Sequence, residues 1–139
     1  MSVEKRAKKE SKKYKILVFG NPMLKEDSVP LKLIPRLAKE FPNIEFKEFD
    51  PNDNLEKEGK ALNIIDCIQQ IRKVTIVTEI DKIETARIYT MHDFDLGYNL
   101  KLLKKMGYLD SVRIFGVPMK MKENEAFTQL VKIINATLV

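Results

Sequence analysis

Lys15-Ile16-Leu17-Val18-Phe19 is a nearly continuous apolar run, and Gly20 closes it. Apolar character without alternation suits a strand buried on both faces, as in a parallel sheet. The stretch from Gly20 to Ser28 is rich in turn formers and reads as a loop. Ser28 is placed to cap a following helix, with Pro30 in its first turn. Leu31, Ile34, Leu37, Ala38 and Phe41 then recur at helical spacing. Pro35 falls inside that pattern and predicts a break or kink.

Working outward, Ile44–Phe49 alternates apolar and charged residues, the pattern of a half-exposed strand. Asp50–Asn54 reads as a loop. The spacing of Leu62, Ile65, Ile68 and Ile71 predicts a second helix, and Val74–Thr78 a third strand that ends in Glu79-Ile80-Asp81. Ala86–Thr90 is a candidate further strand, followed by a loop over Met91–Asp95. Leu96, Leu100, Leu103 and Met106 trace a helix that Gly107 can end. Val112–Val117 is the last strand, and Ala126–Leu138 a terminal amphipathic helix. Strands and helices alternating in this way predict a three-layer α/β/α domain with a mainly parallel, twisted sheet of about five strands. Such sheets bind ligands outside the carboxyl ends of their strands, so chemistry is sought in the loops there.

The 139 residues fit one domain, read as residues 14–139 behind a basic flexible tail of residues 1–13. A chain of this length buries a full core without disulfides. Its one cysteine, Cys67, lies in an apolar stretch and reads as a small buried hydrophobe. The net charge of +5 is concentrated in the tail, which holds six basic and two acidic side chains; the remainder holds 19 and 18. A nearly neutral body argues against a nucleic-acid-binding protein. No apolar run approaches the roughly 20 residues of a membrane span. With few cysteines and a charged start, the chain reads as cytoplasmic. Its Lys-, Glu- and Ile-rich composition is a compositional hint of a thermophile.

Three places carry candidate chemistry. The loop after the first strand ends in the adjacent acids Glu26 and Asp27, and it lacks the glycines and Lys-Ser/Thr pair of a phosphate loop. Acids before a helix are equally read as partners of its dipole. Glu79 and Asp81 follow the strand at Val74–Thr78. His92, the sole histidine, is flanked by Asp93 and by Asp95 two residues further on. Two carboxylates and one imidazole make a plausible open three-ligand metal site. No His-Glu-x-x-His helix or Gly-x-Ser-x-Gly elbow is present, which argues against the common zinc proteases and serine hydrolases.

Taken together, these stretches resemble the hydrogenase maturation endopeptidases, which process the large subunit of nickel–iron hydrogenases. The matching pieces are Ile16-Leu-Val-Phe-Gly-Asn-Pro22, the pair Glu26-Asp27, the strand-end Glu79, Thr90-Met-His-Asp-Phe-Asp-Leu-Gly97 and Arg113-Ile-Phe-Gly-Val-Pro118. The resemblance implies an endopeptidase that removes the C-terminal extension of a large-subunit precursor. It implies that Asp27, Glu79 and His92 bind the nickel that the precursor already carries, with Glu26 and Asp81 as rivals and no tightly bound cofactor of the chain's own. The hydrogenase precursor is then the partner, with no nucleic acid or membrane, and the chain is a monomer or weak oligomer. The sequence departs from the family's pattern in four ways, the first being that Asp50-Pro51-Asn52-Asp53 replaces the Gly-rich segment usual after the second strand. Ser28-Val29-Pro30 stands where glycine is usual. Glu79 stands where the acid at the end of the third strand is usually Asp. Only twelve residues separate Glu79 from His92, fewer than is common. A non-catalytic paralogue acting as an assembly protein is the alternative on the same fold, and an unrelated small α/β domain that binds a nucleotide or phosphate is a third.

Overall fold

The computed structural model describes residues 14–20, 28–49, 53–79 and 96–139. Five strands form one sheet: β1 (Tyr14–Val18), β2 (Ile44–Glu48), β3 (Ala61–Ile68), β4 (Thr75–Val77) and β5 (Ser111–Pro118). Their order is β2-β1-β3-β5-β4, and every pairing is parallel except the antiparallel β4–β5 edge. Three helices cover it: α1 (Val29–Glu40), α2 (Leu96–Lys105) and α3 (Glu123–Leu138), with a single 3₁₀ turn at Leu55–Glu58.

The apolar run at β1 is buried on both faces, as its lack of alternation requires. Ile16 and Val18 join one core with Leu33 and Leu37 of α1 and Leu130 and Ile134 of α3. Leu17 and Phe19 join the other with Leu96 and Leu100 of α2. Each fully buried aliphatic side chain contributes roughly 1.5–3 kcal/mol, so the two cores hold helices on both sides of the sheet. The three-layer α/β/α architecture is the one the sequence predicts.

Four local readings change. The segment with Leu62, Ile65 and Ile68 is the central strand β3, not a helix. Its spacing of three is incidental: Leu62, Ile64 and Ile68 face the α2 side while Ile65 and Cys67 face the α1/α3 side. A strand buried on both faces shows no period in sequence, and its three β-branched isoleucines favour extended backbone. The strand at Thr75–Val77 is consequently the fourth, and it runs against β5 at the sheet edge. Pro35 does not end α1, which continues to Glu40. Pro35 lies at an exposed position, and buried Leu33 and Leu37 anchor the helix on either side of it. Ser28 does occupy the N-cap position, yet its side chain makes no capping bond; its carbonyl accepts the Lys32 N–H at 3.1 Å.

The remaining elements follow their signals. Asn54, at the end of the segment read as a loop, accepts the Glu56 N–H and starts the 3₁₀ turn. Gly107 takes a left-handed φ of 80° just past α2, and Tyr108 N–H closes onto Leu103 O at 2.9 Å. Cys67 is fully buried, as read. The candidate strand at Ala86–Thr90 and the basic tail lie outside the described residues.

Candidate functional site

The sheet's connections diverge at one place. β1 leads to β2 on one side of the sheet, and β3 leads to β4 and β5 on the other. The carboxyl ends of β1 and β3 therefore flank a topological switch point, where doubly wound sheets open a ligand crevice. Phe19 N–H bonds to Ile65 O at 2.8 Å, which fixes the end of β1 beside the end of β3. Gly20 leaves β1 at this edge. Because α1 connects two parallel neighbours, it runs back from the same edge, where Ser28 begins it. The segment holding Glu26 and Asp27 bridges these two points; both acids lie outside the described residues.

Asp66 stands on β3 at this edge and is 0% exposed. The sequence reading did not single it out. One residue on from Ile65, it lies level with Phe19 on one side and pairs with Gly116 of β5 on the other. Its place in the alternation, between Ile64 and Ile68, directs it to the α2 side of the sheet. Its Oδ1 accepts the Cys67 N–H at 2.8 Å. A fully buried polar group in a mainly apolar strand is costly unless its setting holds it. That lone acid in Leu62-Asn-Ile-Ile-Asp-Cys-Ile68 was the available signal, and the helical assignment of the segment hid it.

Helix α2 directly follows the segment that holds His92, which also lies outside the described residues, as does Asp81. The carboxyl end of α2 leads through Gly107 into the amino end of β5, and Lys104 lies beside Ser111 and Arg113. Ten residues at 1.5 Å each then carry its first turn roughly 14 Å back along the sheet, towards the carboxyl edge. Leu96 and Gly97 are buried there.

Glu79 occupies a different place. β4 is antiparallel, so Val77 pairs with Ile114, two positions towards the amino edge from Gly116. Thr78 lines a cleft of about 570 Å³ at the amino ends of the parallel strands, together with Lys15, Ala61, Asn63, Ser111 and Arg113. Glu79 follows it and is exposed. The acid read from sequence as the strand-end ligand thus leaves the sheet at the edge opposite to Gly20, Asp66 and Ser28. Among the described residues no three of His, Cys, Asp or Glu converge as a metal cluster.

One ion-paired carboxylate has a clear structural role. Glu58, at the end of the 3₁₀ turn, binds Lys15 Nζ at 2.6 Å and Lys47 Nζ at 2.8 Å, tying the turn to β1 and β2. Burial pushes its carboxyl up, but the hydrogen bonds and charges of both lysines outweigh that and hold it below the ordinary value. The bond to Glu58 correspondingly raises Lys47. Among the described residues no helix is long and apolar enough to cross a membrane.

No protein-family model matches the chain, and no curated protein matches its sequence. A solved structure does share its fold. The hydrogenase 3 maturation protease superposes with a TM-score of 0.60 at 19% identity, covering 88% of this chain and 89% of that one. The hydrogenase 2 maturation peptidase from Thaumarchaeota archaeon SCGC_AB-539-E09 gives a TM-score of 0.49 at 14% identity, covering 89% of this chain and 97% of that one. The fold implied by the sequence resemblance is therefore the fold found.

Proposed function

We propose that the chain is an endopeptidase of hydrogenase maturation, which removes the C-terminal extension of a nickel–iron hydrogenase large-subunit precursor once nickel is in place. The observation that carries this reading is a buried carboxylate, Asp66, at the switch point of a sheet whose fold is shared with the hydrogenase 3 maturation protease.

Asp66 also accounts for two departures in the sequence. The resemblance calls for an Asp at the end of the third strand, and the third strand here is Ala61–Ile68, which bears Asp66. Twenty-five residues then separate it from His92, where Glu79 left only twelve. Asp66 accordingly takes the role first given to Glu79, with Asp27 and His92 as its partners and Glu26 as the rival of Asp27.

Nickel is part of the substrate in this reading. Two hard carboxylates and an imidazole complete its coordination only when the precursor presents it. The ion polarises the scissile carbonyl or activates a water for attack on it. Recognition of bound nickel makes cutting conditional on completed insertion.

The test is cleavage. A large-subunit precursor from the same source, loaded with nickel, is incubated with the chain, and loss of the extension is followed by mass spectrometry. The loaded precursor is cut, the nickel-free one is not, and His92→Ala leaves the loaded precursor intact. Cutting by His92→Ala at the unmodified rate overturns the site. Stable binding of the loaded precursor without cutting by the unmodified chain identifies it instead as a non-catalytic assembly protein.

A further inference from the structure

Four residues stand level across the carboxyl edge of the sheet. Val18 of β1 pairs with Glu48 of β2 and with Ile65 of β3. Both ladders run one residue further, through Phe49 N–H to Val18 O at 3.0 Å and Phe19 N–H to Ile65 O at 2.8 Å. Phe49, Phe19 and Asp66 therefore lie side by side, and Gly116 of β5 is next in the row. Neighbouring strands sit about 4.8 Å apart, so each residue adjoins the next. The side chains of all three share the α2 side of the sheet, as the alternation along their strands requires.

Phe19 and Phe49 are fully buried, and their rings stack with centroids 4.7 Å apart at an interplanar angle of 12°. Such a pair is held more firmly than burial alone would hold it, and each ring has few torsions to relax through. It sets a stiff apolar wall along one flank of Asp66. Ile68 supplies the other flank, because its side chain occupies the space over Gly116. Within this slot the Cys67 N–H holds Asp66 Oδ1 at 2.8 Å. A core needs only an apolar residue at position 19. A stacked ring at the one place beside the buried carboxylate does more, since it confines how that carboxylate can turn.

We propose that Phe19, backed by Phe49, is a positioning residue for the Asp66 carboxylate. This rests on the proposed function, in which Asp66 meets the nickel that the precursor presents. A group locked near its working geometry by packed neighbours acts without first being ordered, and a small misplacement of it is costly to the rate. Phe19 touches no substrate in this role and acts only through Asp66.

The experiment compares Phe19→Leu, which keeps an apolar residue and removes the ring, with Phe115→Leu. Phe115 is equally buried but lies in the core on the other face of the sheet. The first measurement needs no substrate: amide hydrogen exchange of Cys67, whose N–H is held by the carboxylate, against that of Ile64 and Ile65 on the same strand. Phe19→Leu speeds Cys67 exchange roughly tenfold relative to those neighbours, as for a local opening, and Phe115→Leu does not. The second is cleavage of the nickel-loaded precursor. Phe19→Leu lowers kcat roughly tenfold with KM in place, the pattern of a transition-state effect, and Phe115→Leu leaves both within about twofold. If circular dichroism shows that Phe19→Leu does not fold, Phe19→Met, which refills most of the volume without a ring, is read in its place. Cys67 exchange that is unchanged, or equally faster in both variants, overturns the positioning role whether or not the chain cuts. Faster exchange with an unchanged kcat overturns it too, because the rate then does not depend on how the carboxylate is held. An unmodified chain that does not cut overturns the peptidase, and the exchange measurement still decides the role of Phe19.

Discussion

Asp66 on β3 stands directly across from Gly116 on β5, and Gly116 offers no side chain on the face where Asp66 lies. Ile68 uses that space. A Cβ built on Gly116 would overlap Ile68 Cδ1 and lie 2.8 Å from Ile68 Cγ1, with the Thr75 carbonyl oxygen at 3.3 Å. Ile68 is itself buried. Gly116→Ala is therefore expected to destabilise the fold by about 1–3 kcal/mol, the usual cost of overpacking. Urea unfolding checks it. A variant as stable as the unmodified chain would mean that Ile68 relaxes without cost.

Asp66 and Glu79 can be separated by substitution. Asp66→Asn keeps the shape and an oxygen able to accept the Cys67 N–H, so the fold should survive. The amide is a poor metal ligand, and loss of several kcal/mol of transition-state stabilisation lowers processing by roughly a hundredfold or more. Glu79→Gln, at an exposed position near the other edge, leaves processing within about twofold, as for most surface substitutions. Cleavage rates of both variants on the nickel-loaded precursor decide between them. The reverse outcome restores Glu79 to the site.

What the sequence revealed and what it hid both follow from periodicity. Ile44–Phe49 alternates because β2 is an edge strand with one face in water, and α3 repeats its buried Ala126, Leu130, Ile134 and Leu138 every four residues. Amphipathic elements write their environment into the sequence. β3 is flanked by strands on both sides and covered by helices on both faces, so nearly every position is apolar and the pattern carries no period. Its misreading as a helix shifted the strand count by one. The acid at the end of the third strand was then read as Glu79, and Asp66 was passed over. The direction of β4 was equally hidden, because a three-residue strand has the same composition whichever way it runs. The sequence thus indicated the resemblance and the fold class, while the place of Asp66 at the switch point required the register.

A cavity variant tests the central strand. Ile64 of β3 is fully buried among Leu17, Leu100 and Ile114. Ile64→Ala removes buried methyl and methylene groups from a site hemmed by two strands and α2, and is expected to cost about 2–5 kcal/mol. Denaturant unfolding measures it. A cost below about 1 kcal/mol would mean that the core collapses around the gap, against the close packing of β3.

The Glu58 pair of bridges gives the fold a pH dependence of definite sign. Its carboxyl lies below the ordinary value in the folded chain, because Lys15 and Lys47 outweigh the opposing effect of burial. Folding therefore favours the ionised form. The stability this confers is fully present above the unfolded carboxyl value of about 4.5, and it is lost as pH falls through the lower folded value. Glu58→Gln removes the charge at every pH and leaves two ammonium groups facing an amide. With both lysines about a third exposed, the loss at neutral pH is about 1 kcal/mol, the upper end for ion pairs open to water. The difference between the variant and the unmodified chain should shrink on acidification and with added salt. Thermal melts from pH 7 down to pH 3 at low and high salt provide the measurement. A difference that stays constant across that range would show that Glu58 acts by packing the 3₁₀ turn onto the sheet and not by its charge.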